Sequence, residues 1–197
     1  ESRRYVVPSA PGKRNAKDTK VTDMLYKCYA LAEAEEDFKT ALRKIRERYE
    51  AIINGLNLNL SLDKEFETIA ENFRNKAGED YAASRGEYLN GLIMADYLGY
   101  EFIDAAEVIC FDKDAKEDGR VKTFSRGGSD ITGSIVAKAV QADIYENWTD
   151  VSGFLIADPR IIDNPKVIKV ITYRELRELS YMGATVLHED AVFPVRK

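Results

Sequence analysis

Ser125-Arg126-Gly127-Gly128-Ser129-Asp130 sets opposite charges beside two glycines, just ahead of an apolar helical pattern. Backbone amides at a glycine-flanked helix start attract anions. The planar guanidinium of Arg126 suits a carboxylate, which it can grip with two parallel hydrogen bonds that a lysine cannot match. Asp130 can hold an ammonium group. A free amino acid carries that pair of charges, so the segment reads as an amino-acid-binding helix start, with an ordinary surface arginine as the plain alternative for Arg126.

Two other stretches have chemistry-bearing composition. Ser84-Arg85-Gly86-Glu87 precedes an apolar helical run, and Ser-x-x-Glu is the spacing of a capping box, so Glu87 reads equally as a helix cap or as a ligand for a cation. Thr172-Tyr173-Arg174-Glu175 repeats that spacing with no chemical claim attached. Thr149 and Asp150 follow an apolar run, and the loop at a strand's carboxyl end is the usual ligand position in an open α/β sheet; Asp150 as a turn cap is the alternative. Trp148 is expected to pack in the core rather than stack on a base. Asp158 precedes Pro159 and suits an Asx turn.

These segments need a frame. Tyr5-Val6-Val7, Val108-Ile109-Cys110-Phe111, Ile144-Tyr145 and Val167 to Ile171 read as short strands. Between them, helical periodicity runs from Thr22 and Asp23 to a stop at Asn54-Gly55 as a hairpin or bent helix, then from Leu62 to Lys76, from Ser84 to Gly99, from Ser129 to Ala142, and from Tyr173 to Met182 before Gly183. The basic, polar stretch ending at Lys20 reads as a mobile loop. Alternation of helices and strands predicts an α/β fold, a mostly parallel sheet covered by helices on both faces. One join does not fit: Asp112 to Gly119 is a hydrophilic bridge where a parallel sheet needs a crossover, so an internal segment is expected to be absent near 112–116.

Composition narrows the function. The 197 residues suit one α/β domain, 45% of them are hydrophobic and 32% charged, and a net charge of -5 offers no electrostatic footprint for nucleic acid. No apolar stretch approaches the roughly 20 residues that span a bilayer and no secretory leader is visible, which leads to the expectation of a cytoplasmic protein with no membrane partner. Cys28 and Cys110 sit where small buried hydrophobes belong and are expected to be reduced. His188 is the single histidine, which argues against a histidine-rich metal site and a serine–histidine triad; no metal-ligating residue is assigned.

Five stretches, taken in order, resemble the aspartate kinase branch of the amino-acid kinase family: Val7 to Lys13, Ser84 to Leu89, Ser125 to Ile131, Trp148 to Arg160, and Ile171 to Glu189. The resemblance implies a three-layer α-β-α sandwich around a mostly parallel open sheet, and phosphoryl transfer from ATP, with Mg2+ on its phosphates, to the side-chain carboxylate of L-aspartate. It implies that Arg126 meets the substrate carboxylate, that Glu87 and Asp130 hold its ammonium, that Ser129 adds a polar contact, and that Arg126 and Asp130 are catalytic. Thr22 falls where the family has a hydroxyl near aspartate, with a helix N-cap as the alternative. Thr149, Asp150 and Arg160 match nucleotide-loop positions; Leu155 stands where some relatives have a nucleotide-contacting tyrosine.

Relatives begin with a Lys-Phe-Gly-Gly strand and loop and continue into paired ACT modules that bind feedback inhibitors and build the dimer. Neither is visible in these 197 residues, which are expected to be a catalytic core whose complete protein is a homodimer or higher homo-oligomer. Two alternatives remain open: another acyl phosphate kinase of the same fold, and a non-catalytic aspartate sensor. Glu87 and Asp130 favour a substrate with a free ammonium group, and the nucleotide loop favours an enzyme.

Overall fold

The computed structural model describes residues 4–110, 121–124, 127–149, 153–158, 161–181, 191 and 194–195. Its helices are α1 (Val21–Glu33), α2 (Lys39–Gly55), α3 (Asp63–Arg74), α4 (Glu79–Leu98), α5 (Ala105–Val108), α6 (Gly128–Ala139) and α7 (Tyr173–Tyr181). Contacts divide the chain into a unit of Pro8–Thr123 and a unit formed by Glu1–Val7 with Phe124–Lys197.

The Pro8–Thr123 unit is built by α1 to α4 around one core. Apolar residues recur at three-and-four spacing on each helix: Val21, Leu25, Cys28 and Tyr29 on α1, Leu42, Ile45, Tyr49 and Ile53 on α2, Phe66, Ile69 and Phe73 on α3, and Leu89 and Ile93 on α4. Phe73 is central, edge-on to both Tyr29 and Tyr81 at centroid distances of 5.3 and 6.3 Å. The run expected from Thr22 to Gly55 is a hairpin. Its turn uses Glu35 at φ 60, a left-handed residue that lets the Glu36 amide reach back to the Leu31 carbonyl at 2.8 Å. Cys28 is buried and its thiol is pushed up to about 12 by desolvation, whereas Cys110 is exposed, against expectation.

Helix α4 starts earlier than the sequence suggests. Gly78, at φ 102, is its N-cap, and the Gly78 amide donates to the Tyr29 hydroxyl at 3.0 Å. Ser84 to Glu87 therefore lie within the helix rather than at its start. The Pro8 to Lys20 segment is not the free loop expected: buried Arg48 donates to the Gly12 carbonyl at 2.7 Å and pairs with Asp18, which also takes the Arg14 guanidinium at 2.8 Å. Arg14 and Arg48 hold the Asp18 carboxyl well below the usual carboxylate range.

Among the described residues the expected sheet is reduced to one antiparallel bridge, Leu155 with Val167, flanked by backbone bonds from Ile168 to Phe154 at 2.7 Å and from Ile156 to Lys166 at 3.0 Å. Val108 ends α5, whose start is capped by Asp104 accepting from the Ala106 amide at 2.9 Å. Among the described residues Tyr5 to Val7 and Ile144-Tyr145 have no ladder. Ile144 is 75% exposed, Val170 89% and Trp148 89%, so Trp148 is not a core residue. An apolar run signals only that both faces need cover; a strand also needs a neighbour to take its amides and carbonyls. No described helix is long and apolar enough to cross a membrane.

Candidate functional site

In the Pro8–Thr123 unit, three of the segments marked in the sequence converge on the middle of α4. Gly86 lets the loop after Pro8 touch the helix: a Cβ there would lie 2.8 Å from the Ala10 side chain, 3.5 Å from Leu25 and 3.8 Å from the Thr22 hydroxyl oxygen. Glu87 follows immediately, and its Oε1 accepts the Ala10 amide at 3.4 Å. One helical turn on, the Asn90 side-chain amide donates to the Ser9 carbonyl at 2.7 Å. Thr22 is the second residue of α1, whose N-cap is Lys20, so Thr22 does not cap the helix.

Glu87 does not cap a helix either. Ser84 donates its hydroxyl back to the Tyr81 carbonyl at 2.8 Å, and the Arg85 guanidinium bonds the same hydroxyl at 3.0 Å while lying between the Tyr81 and Tyr88 rings. The Tyr49 hydroxyl donates to the Gly86 carbonyl at 2.7 Å and ties α2 to α4 there. Burial pushes the Glu87 carboxyl up, opposed by its own amide and that of Ala10. Among the described residues this half-buried carboxylate meets only backbone amides, and such a group suits a cation that brings its own N–H donors, as an ammonium does.

The second unit places the other marked helix start. Gly127 is the N-cap of α6 in the left-handed conformation, φ 62 and ψ 29, and Ser129 and Asp130 stand in the first turn. Asp130 is held from two sides: the Asn147 amide donates to its Oδ1 at 3.2 Å, and the Tyr145 hydroxyl to its backbone carbonyl at 3.1 Å. Gly133 admits the Tyr145 ring, since a Cβ there would lie 2.8 Å from the phenol oxygen. Thr149 is exposed one residue beyond Trp148, and Leu155 is half-buried in the bridge to Val167. Arg126, Asp150 and Arg160 lie outside the described residues, as do His188 and Gly183.

The residues missed in the sequence are those that support Glu87 and Asp130: Arg48, Tyr49, Asn90, Tyr145 and Asn147. Asn90 had a local signal, three residues after Glu87 on one helix face. The others act across 15 residues or more, as Tyr145 does on Asp130, and no local pattern marks them.

The amino acid kinase family profile matches residues 111–197. Aspartokinase 3 of Bacillus subtilis (strain 168) is 35% identical across 98% of this chain and 52% of its own length. A crystal structure of Clostridium acetobutylicum aspartate kinase, described as an important allosteric enzyme, matches with 51% identity and a TM-score of 0.89, over 98% of this chain and 51% of that one. E. coli aspartokinase III, solved in complex with aspartate and ADP, shares the fold at a TM-score of 0.55 and 23% identity, over 94% of this chain and 51% of that one. The chain belongs to the amino-acid kinase family. Within it, the relatives it matches are aspartokinases, and it spans about half of their length.

Proposed function

We propose that the chain is the catalytic core of an ATP-dependent aspartate kinase, which transfers the terminal phosphoryl group to the side-chain carboxylate of L-aspartate. The observation that carries this reading is Glu87: a half-buried carboxylate in the middle of α4, serving no cap and meeting the Ala10 amide beside the glycine that admits the loop. In the Pro8–Thr123 unit Glu87 takes the substrate ammonium; in the other unit the motif that carries Arg126 and Asp130 is assigned to the substrate's charges by its likeness to the family. Thr22 and Ser129 add hydroxyl contacts. Phosphoryl transfer between two anions needs positioning and charge stabilisation more than covalent chemistry, so Arg126 and Asp130 act by placing the substrate in line.

Thr149, Asp150, Leu155 and Arg160 form the nucleotide side. Among the described residues no cluster of three or more histidine, cysteine or acidic side chains is gathered to hold a metal. Mg2+ comes with the nucleotide, as suits an ion that keeps its waters and binds through substrate phosphates. The complete fold is the three-layer α-β-α sandwich with a mostly parallel sheet. The alignment with the Bacillus subtilis relative spans 236 residues, longer than the 197-residue chain, which supports an absent internal segment such as that expected near 112–116. The enzyme is cytoplasmic, homo-oligomeric, and opens the route to lysine, threonine and methionine.

Acyl phosphate trapped as hydroxamate, with aspartate, glutamate and acetylglutamate as substrates and Mg-ATP as donor, tests the reading in the intact polypeptide. Product with aspartate alone is expected. A folded protein that binds aspartate without product would be the sensor instead. Arg126→Ala is expected to weaken aspartate much more than ATP, and Arg160→Ala the reverse, by a few kcal/mol where the contact is buried.

A further inference from the structure

We propose that Asn90 and Arg48 are positioning residues: they hold the Ser9-Ala10 loop down on α4 and so set how tightly Glu87 binds the substrate ammonium. The inference rests on the aspartate-binding reading above. The loop crosses α4 at Gly86, where backbone and side chain approach too closely for any Cβ. That approach is tied at both ends. Asn90 grips the Ser9 carbonyl at 2.7 Å; Arg48 grips the Gly12 carbonyl at 2.7 Å and pairs with Asp18. Between these ties the Ala10 amide meets Glu87 at 3.4 Å, a long bond of the kind that tightens when a ligand arrives.

Arg48 is only 8% exposed, and its neighbour Tyr49 fixes the Gly86 carbonyl. Consecutive residues of α2 therefore hold the two surfaces that meet beside Glu87. If the loop lifts, water takes the place of the Ala10 amide and solvates the carboxylate. The ammonium must then displace that water, and affinity falls without any change in the residues that touch substrate.

The test uses the intact polypeptide with Asn90→Ala, Asn90→Asp, which keeps the shape but loses the amide donor, and Arg48→Met. Aspartate and Mg-ATP dissociation constants are measured by calorimetry, and turnover by the hydroxamate assay. Loss of one such hydrogen bond is expected to weaken aspartate by about fivefold to tenfold in both Asn90 variants, with Mg-ATP within about twofold. The acidic limb of the aspartate kcat/KM profile should move to lower pH, because water reaching the Glu87 carboxylate relieves the burial that raises it, and this outweighs the loss of the Ala10 amide.

Aspartate binding within about twofold of the unaltered protein in both Asn90 variants would overturn the inference, as would equal losses for aspartate and Mg-ATP. If the unaltered protein binds aspartate without turnover, the kinase reading fails while the dissociation constants still decide the roles of Asn90 and Arg48. If it does not bind aspartate, both fail.

Discussion

Two tetrads in this chain share one sequence pattern and end in different structures. Thr172 to Glu175 forms a reciprocal cap: the Glu175 amide donates to the Thr172 hydroxyl at 3.3 Å, and the Thr172 amide donates to the Glu175 carboxylate at 2.9 Å. Ser84 to Glu87 has the same spacing, but α4 has already run from Glu79, so its backbone amides are taken within the helix. Ser84 turns back to the Tyr81 carbonyl and Glu87 turns to the Ala10 loop. The comparison teaches that a glutamate released from capping and half-buried is available for a ligand, while an exposed one in a closed cap is not.

Substitutions should separate the two tetrads, and the largest expected effect is at Glu87. Glu87→Gln should weaken aspartate binding by about 2–3 kcal/mol, roughly 30- to 150-fold, measured by calorimetry, because a charge-assisted bond to ammonium is lost. Glu175→Gln should leave aspartate affinity unchanged. A comparable loss of aspartate affinity in both variants would end the distinction.

Next in size is Gly86→Val. The new side chain meets the Ala10 Cβ, which has no flexible end to swing away, so the loop must lift. Overpacking of this kind costs about 1–3 kcal/mol in urea denaturation, and aspartate turnover should fall with it. The gain in helix propensity from replacing a mid-helix glycine by valine offsets less than about 1 kcal/mol. At the other tetrad, Thr172→Ala should cost about 1 kcal/mol, read as faster amide exchange in α7, with no change in aspartate affinity.

The smallest effect is a difference of sign with pH. The Glu87 carboxyl is raised by burial, so the folded protein holds its proton more firmly than the unfolded chain. Its ionisation lowers stability as pH rises from the ordinary glutamate range through the raised value, and Glu87→Gln should remove that loss at neutral pH. The Glu175 carboxyl is lowered by its bonds from Thr172, so its contribution is present above the ordinary range and is lost as pH falls through the lowered value. Denaturant midpoints measured across the acidic range for the two glutamine variants should therefore change with opposite slopes.

The same contrast explains what could be read without the fold. The inner stripes of α2 and α3 were legible because Leu42, Ile45, Tyr49 and Ile53, and Phe66, Ile69 and Phe73, repeat at helical spacing. The start of α4 was not, since Gly78 and the tyrosine hydroxyl that anchors it are 49 residues apart. The apolar runs at Ile144 and Val167 were identified as strands, but pairing belongs to two segments at once, and among the described residues only Val167 has found a partner. Glu87, Thr22 and Asp130 stand out in the sequence as candidates by type and spacing; their surroundings do not.

By itself, then, the sequence determined the residue types of the candidate site, the apolar faces of the helices, and the family, because each of these is written in local spacing and motif order. Tertiary structure alone decided that Ser84 to Glu87 is mid-helix, that Thr22 is not a cap, and that Arg48, Tyr49 and Asn90 converge on the Gly86 region. The reason is physical: hydrogen bonds and close packing between residues distant in sequence depend on where whole helices lie, and no short window of the chain contains that information.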